Sequence, residues 1–261
     1  MKALWMAAGL ACALALAGCG SGNTSDSAKT AGPSASAPLA TAMPDLENGA
    51  TIAGKVIFAG TPPPARVIDM AAVPACVNAN KGGPPKSEEV VVNPNGTLKN
   101  AFVWVKSGLP EGTKWQVPAA SVELNQSGCL YSPRVIGAMV GQTVDIKNSD
   151  PVNHNIHPVP AKNQEYNQSQ PPGAGDVSHT FAVEEVLIPI KCNVHPWMRA
   201  YIGVVSHPFF AVTGDDGSYS LKGLPPGTYT VEMVHEKYGT QDQQVTVGAK
   251  ESKAQDFTVK E

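Results

Sequence analysis

The chain has 261 residues, including 25 Gly and 23 Pro, with 16% charged residues and a formal net charge of −3. The Gly and Pro content without a repeat excludes collagen and argues against a helical bundle, and the low charged fraction favours a turn-rich β protein. The near-neutral balance argues against a nucleic-acid binder, whose basic residues would be concentrated on one face.

The N-terminus has the pattern of an export signal. A basic start is followed by an apolar run over residues 3–17, which is too short to span a bilayer. The run ends in Leu-Ala-Gly-Cys at Cys19, which resembles the bacterial lipobox, whose cysteine is acylated. Residues 1–19 are thus predicted to be a lipoprotein signal peptide and lipobox, cleaved before Cys19. This predicts an exported protein, lipid-anchored through Cys19 at the periplasmic or cell-surface face of a membrane. The alternative is an ordinary secretory signal with a chance cysteine. Residues 20–48, rich in Ser, Ala, Gly, Thr and Pro, predict a flexible tether.

Beyond the tether, short runs of β-branched and aromatic residues alternate with turn residues, and no segment keeps a 3.6-residue period. This pattern predicts an all-β protein made of sandwiches. We expect one domain over residues 49–206, with its core at about 88–206, and a smaller one over 207–261. The strand at 52–58 fits either sandwich.

The informative segment lies between two predicted strands. Cys192, His195 and Met198 stand at positions i, i+3 and i+6, so a curled loop brings a thiolate, an imidazole and a thioether to one point. Pro196 stiffens the loop by fixing its own φ and restricting the residue before it. His154, 38 residues before Cys192 and just past another predicted strand, supplies a fourth donor at the same pole of a sandwich.

These ligand types select the metal. One thiolate, two imidazoles and a weak axial thioether suit copper that cycles between Cu(I) and Cu(II). Zinc prefers a closed tetrahedral set without Met, and calcium and magnesium prefer oxygen ligands. We therefore predict a single copper ion that carries out one-electron transfer without binding a substrate.

Residues 192–199 and 154–157 resemble the cupredoxin (blue copper) family, particularly its amicyanin-like and pseudoazurin-like members with a short Cys-x-x-His-x-x-Met spacing. The resemblance implies a Greek-key sandwich in which the four donors above bind copper. It also implies that Asn155 ties the two ligand loops together. Pro196, which stiffens the loop, is expected to support the ligands. His157 is expected to lie beside the site rather than bind the metal, because the family uses the first His.

The C-terminal segment resembles another family. Its motifs Gly-Ser-Tyr-Ser-Leu at 217–221 and Gly-Leu-Pro-Pro-Gly-Thr-Tyr at 223–229 are similar to the carboxypeptidase regulatory-like (transthyretin-like, or prealbumin-like) β-sandwich. The resemblance implies a binding or spacer module rather than a peptidase, and the sequence contains no His-x-x-Glu zinc pair.

The cysteine count agrees with a metal-binding thiolate. Cys12 would leave with the signal and Cys19 would be the anchor, so three cysteines remain in an oxidising compartment. Three is an odd number, so one thiol is free or has another role. If Cys192 binds copper, Cys76 and Cys129 are left as a hypothetical disulfide pair.

The function predicted from these features is electron transport between redox proteins, with no small-molecule substrate and no nucleic acid. An enzyme such as a multicopper oxidase or nitrite reductase is disfavoured, since no His-x-His pair or second copper motif is present. Copper storage or delivery and a surface binding module with a structural copper are the alternatives. Trp197 is either a docking residue for the redox partner or a cover that keeps water from the copper.

Overall fold

The computed structural model describes residues 41–260, and in this range the chain forms strands, turns and one short helix. The all-β prediction is confirmed. The predicted signal segment, with Cys19, lies outside the described residues. Between residues 41 and 260, no helix combines the length and the apolar composition that crossing a bilayer requires.

The helix α1 spans Pro74–Ala79, and the strands in chain order are β1 Ala50–Ala59, β2 Phe102–Ser107, β3 Val122–Ser127, β4 Leu130–Ser132, β5 Val135–Met139, β6 Val144–Asn148, β7 His154–Pro158, β8 Gln168–Gln170, β9 Val177–His179, β10 Glu185–Lys191, β11 Arg199–Val205, β12 Phe210–Val212, β13 Ser218–Leu224, β14 Gly227–His235, β15 Gly239–Val247, β16 Ser252–Ala254 and β17 Phe257–Lys260.

The first sandwich contains the predicted metal ligands. Its two sheets have the strand orders β5-β11-β10-β7-β8 and β4-β3-β6-β9. The pairs β5–β11 and β3–β6 are parallel, so the chain crosses between the sheets instead of meandering within one. The alternating inward faces of both sheets bury one apolar cluster, which includes Cys192 and Met198.

The second sandwich takes strands from both ends of the described chain. Its sheets are β13-β1-β16, with β17 also paired to β1, and β12-β2-β14-β15. The strand at 52–58 therefore belongs to the C-terminal sandwich. The pairing also differs from the predicted division at 206/207, because β1 and β2 precede that point. The C-terminal strands β13 and β14 would otherwise present open edges, which β1 and β2 cover by hydrogen bonding.

Two paired glycines let aromatic rings from the second sandwich pack directly on a sheet of the first. Gly137 in β5 and Gly203 in β11 are paired neighbours. The ring of Phe102 lies over both positions and that of Phe210 over the first, so close that a Cβ at either glycine would lie 2.4 Å from ring carbons. Only residues without a side chain let these rings approach the sheet. The contact fixes β2 and β12 against the sheet that carries the ligand loop.

The last part of the predicted tether is ordered. The Ala42 N–H donates to the Lys114 carbonyl oxygen at 2.7 Å, and the Gln116 N–H donates to the Ala42 carbonyl oxygen at 2.8 Å. The Asp45 N–H donates to the carbonyl oxygen of Gly223 at 3.2 Å. The prediction of a flexible tether over 20–48 is therefore wrong for residues 41–48, because these backbone hydrogen bonds attach them to the second sandwich.

Candidate metal centre

The ligand loop is closed at its base by strand pairing. Lys191 at the end of β10 pairs with Arg199 at the start of β11. Inside the loop, the Cys192 N–H donates to the Met198 carbonyl oxygen at 3.3 Å, and the Met198 N–H donates to the His195 carbonyl oxygen at 2.9 Å. The His195 N–H lies 3.4 Å from the Cys192 sulfur and donates to it. This curled backbone turns the three predicted ligands of the loop toward the interior.

His154 reaches the same point from β7, the strand beside β10. Its Nδ1 lies 2.9 Å from the Nδ1 of His195, and the Cys192 Sγ lies 4.0 Å from the same His195 atom. The ligand atoms of all three residues lie within 4.8 Å of one another. Their side chains are buried, and so is Met198, whose backbone hydrogen bond keeps it next to Cys192.

The donor chemistry fits copper. Two imidazole lone pairs that face each other at 2.9 Å would repel, so a proton or a metal ion between them is required. Burial would raise the pKa of the Cys192 thiol, but hydrogen bonds from His154 and from backbone N–H groups of both ligand segments lower it below its ordinary value. This shift moves the thiol toward the thiolate, the form that binds a metal. A thiolate and two imidazoles, with a thioether on the same loop, form a set of soft and borderline donors.

Asp150 orients the first imidazole, a role that no motif in the sequence indicates. Its carboxylate accepts a hydrogen bond from the His154 Nε2 at 2.8 Å, which leaves Nδ1 for the metal. The same carboxylate accepts the N–H groups of Gly128 and Cys129, each at 2.7 Å. Burial would raise the Asp150 pKa, but these hydrogen bonds keep it below its ordinary value. The sequence shows only a carboxylate four residues before the ligand, which is not a motif.

Asn155 joins the two ligand segments, as the family resemblance implied. Its Oδ1 accepts the N–H of Asn193 at 2.6 Å and lies 3.3 Å from the Cys192 sulfur. The Asn155 side chain therefore connects the segment of His154 to the segment of Cys192. Such contacts hold metal ligands in position and tune the metal they bind.

Tyr131 makes a second connection that the sequence did not reveal. Its hydroxyl oxygen lies 2.5 Å from the Asn155 carbonyl oxygen and 3.1 Å from the Lys191 carbonyl oxygen, so one O–H serves both ligand segments. Burial raises the pKa of Tyr131 above its ordinary value, so the hydroxyl keeps its proton.

The structure joins Cys76 and Cys129 in a disulfide, and Cys192 is the free cysteine among the described residues. The Cys76 sulfur lies 3.6 Å from the Nε2 of His195, so the disulfide covers the far side of this ligand. Trp197 donates its indole N–H to the Cys129 carbonyl oxygen at 3.0 Å. Its ring centroid lies 5.2 Å from that of His195, so it packs beside the ligand.

His157 and Pro196 lie at the edge of the site. The ring nitrogens of His157 contact Asn193 Oδ1 at 3.0 Å and Glu165 Oε1 at 2.6 Å, and His157 is not part of the ligand cluster. Pro196 and Trp197 line an open cleft of about 650 Å³ that also contains basic and acidic side chains. Trp197 therefore both covers the site and borders a cleft that solvent can enter.

Comparison with known proteins finds two resemblances. The model of the carboxypeptidase regulatory-like domain matches residues 199–260. No curated protein matches the chain. The structural neighbours are cupredoxins. A purple cupredoxin from Nitrosopumilus maritimus is 26% identical over 32% of this chain and 98% of its own, with a TM-score of 0.27. An oxidized amicyanin mutant is 19% identical over 39% of this chain and 97% of its own, with a TM-score of 0.30. A copper-containing nitrite reductase from Thermus scotoductus is 22% identical over 38% of this chain, with a TM-score of 0.30, and only 25% of the reductase is covered.

Proposed function

We propose that this protein binds one copper ion through His154, Cys192, His195 and Met198 and carries single electrons between redox proteins. The observation that supports the proposal is the convergence of a buried thiol and two buried imidazole Nδ1 atoms within 4.8 Å. Bound copper would supply a one-electron Cu(I)/Cu(II) couple.

The surrounding residues favour a carrier because they hold the donors in place. Asp150 fixes the His154 ring, and Asn155 and Tyr131 each connect the two ligand segments. Donors held in this way move little between oxidation states, which favours rapid electron transfer. Each of the four ligand side chains is at most 3% exposed, which favours electron transfer through the protein over attack on a substrate at the metal.

The partner in this proposal is another redox protein. Trp197 lies beside His195 and borders the cleft of about 650 Å³, so an electron entering there has a short path to a metal ligand. A small contact around this cleft would suit a transient encounter. The proposal includes attachment to a membrane through acylated Cys19, at the periplasmic or cell-surface face. This part rests on the sequence pattern alone.

The visible spectrum of the copper-loaded protein tests the proposal. We expect an intense thiolate-to-Cu(II) band that disappears on reduction and returns on oxidation. Cys192→Ser should abolish the band, whereas His157→Gln should keep it, because His157 contacts Asn193 and Glu165 instead of the donor cluster.

Other outcomes would support other functions. A colourless protein that releases Cu(I) readily to a chelator would indicate copper storage or delivery. A binding module with a structural copper would keep its partner after Cys192→Ala. Absence of the band in correctly folded, copper-loaded protein would refute the carrier proposal.

A further inference from the structure

A second group of soft donors lies on the far side of His195. The sulfur atoms of Cys76 and Cys129 and a ring nitrogen of His195 lie within 4.8 Å of one another. The Cys76 sulfur is 3.6 Å from the His195 Nε2, the nitrogen that does not face His154. All three side chains are buried. The proposed carrier function uses only the Nδ1 side of this ring.

We propose that reduction of the Cys76–Cys129 disulfide creates a second metal site, in which both thiolates and the His195 Nε2 bind a thiophilic ion such as Cu(I). The reductant is a dithiol. It transfers two electrons and two protons to the disulfide, becomes a disulfide itself, and leaves two cysteine thiols. Binding of the ion then releases the two thiol protons. Two thiolates and an imidazole form a donor set that suits Cu(I).

The cysteines are held together independently of the bond between them. The Asn80 side-chain NH₂ donates to the carbonyl oxygens of Cys76 and Gly128, each at 2.8 Å. The Cys129 N–H is also held by Asp150 at 2.7 Å. The Cα atoms of the two cysteines are 5.5 Å apart. These contacts keep both thiols beside His195 after reduction.

The helix that carries Cys76 offers a way for a reductant to enter. α1 has only six residues, and no side chain caps its N-terminus. Val77, next to Cys76, is 47% exposed. A helix this short has little stability of its own, so local opening of α1 exposes the disulfide without unfolding the sandwich.

The two sites share His195, so they compete. A neutral imidazole has one free lone pair, and it binds a metal either through Nδ1 or through Nε2. With the disulfide intact, Nδ1 serves the cluster with His154 and Cys192. With the disulfide reduced, Nε2 faces two thiolates. Whether Cys76 and Cys129 form a disulfide or two thiols would therefore decide which donors bind the ion.

Cu(I) competition with a chromophoric chelator tests the proposal in the full chain carrying Cys192→Ser, which removes the thiolate of the first site. With the disulfide oxidised, this variant should bind Cu(I) weakly. After anaerobic reduction with a dithiol and removal of the reductant, its affinity should rise at least about tenfold. Loss of a residue that merely supports a ligand changes metal affinity by about 10–100-fold, and here two thiolate ligands are gained. Adding His195→Gln should remove most of that rise, and adding His157→Gln should leave it intact.

Each outcome bears on the proposal. No rise on reduction overturns it. An equal rise with and without His195→Gln also overturns it, and this comparison covers the case in which reduction unfolds the chain, since unfolded thiols would bind Cu(I) without His195. The test is separate from that of the carrier function, because it uses a variant that lacks Cys192.

Discussion

Tyr131→Phe tests whether one buried hydroxyl holds the two ligand segments together. The hydroxyl contacts the carbonyl oxygens of Asn155 and Lys191. Asn155 directly follows His154, and Lys191 directly precedes Cys192. The substitution keeps the ring in the apolar cluster and removes only the donor. Both carbonyl oxygens then lose a hydrogen bond that connects the segments.

The expected effect on stability follows from this loss. Removing a buried hydrogen-bond partner costs about 1–3 kcal/mol. A loss of about 2 kcal/mol corresponds to a Tm lower by about 4–8 °C for a protein of this size. Because the ligand segments become less fixed, copper affinity should fall about 10–100-fold, the usual range for residues that support metal ligands.

Tyr229→Phe is the matched control. Tyr229 is also almost fully buried, and its hydroxyl lies 2.5 Å from the Pro225 carbonyl oxygen in the other sandwich. Both variants should melt at lower temperature in calorimetry, but only Tyr131→Phe should lower the copper affinity measured by chelator competition. Unchanged copper affinity in a folded Tyr131→Phe protein would refute the inference that this hydroxyl positions the ligands.

Three further predictions concern stability and are measured by chemical denaturation. Burial lowers the pKa of His235 to about 4, so below about pH 6.5 the unfolded chain binds a proton that the folded protein does not. Stability should therefore fall by up to about 3 kcal/mol between pH 6.5 and 4, and His235→Gln should flatten this dependence. If the variant keeps the slope, His235 is not the group that causes it. Replacing Cys76 and Cys129 by Ser opens a loop with a sequence separation of 53 and should cost about 4 kcal/mol; a loss below about 1 kcal/mol would show that other contacts restrain the loop. Gly203→Ala should lower the free energy of unfolding by about 1–3 kcal/mol, because its Cβ would meet an aromatic ring at 2.4 Å. Gly214→Ala, with open space around it, should lower it much less. Equal losses would refute the inference that only glycine lets the rings approach this sheet.

The convergence of the loop residues Cys192 and His195 could be predicted because its signals are local. The spacing of Cys192, His195 and Met198 and their place between β-rich runs depend only on neighbouring residues, and β10 and β11 form on either side of the loop. His154 was expected beside them because it lies just past another predicted strand, at the same pole of the sandwich. Asn155 was expected through the family resemblance, and its contacts agree with that expectation.

The contacts that brace the ligands were not predictable in the same way. Asp150 and Tyr131 are common residue types without a motif, and their roles depend on which strands come together in the fold. The same limit applies to β1 and β2. Their sequences indicate strands, but the choice of partner depends on edges and apolar faces formed by residues more than a hundred positions away. Order in residues 41–48 also depends on such distant partners.

The rigidity of the candidate metal centre originates largely outside the ligand loop, in the turn and strand at residues 128–131. The Gly128 and Cys129 N–H groups hold Asp150, which holds His154. The Cys129 carbonyl oxygen accepts the Trp197 indole N–H, and the Tyr131 hydroxyl connects both ligand segments. A change in this short segment therefore reaches several ligands at once, although none of its residues is among the four ligands proposed for the copper of the carrier. The proposed carrier would need donors that stay fixed through each oxidation and reduction, and this arrangement would supply that stiffness from the β-sheet framework, while Trp197 lines the cleft.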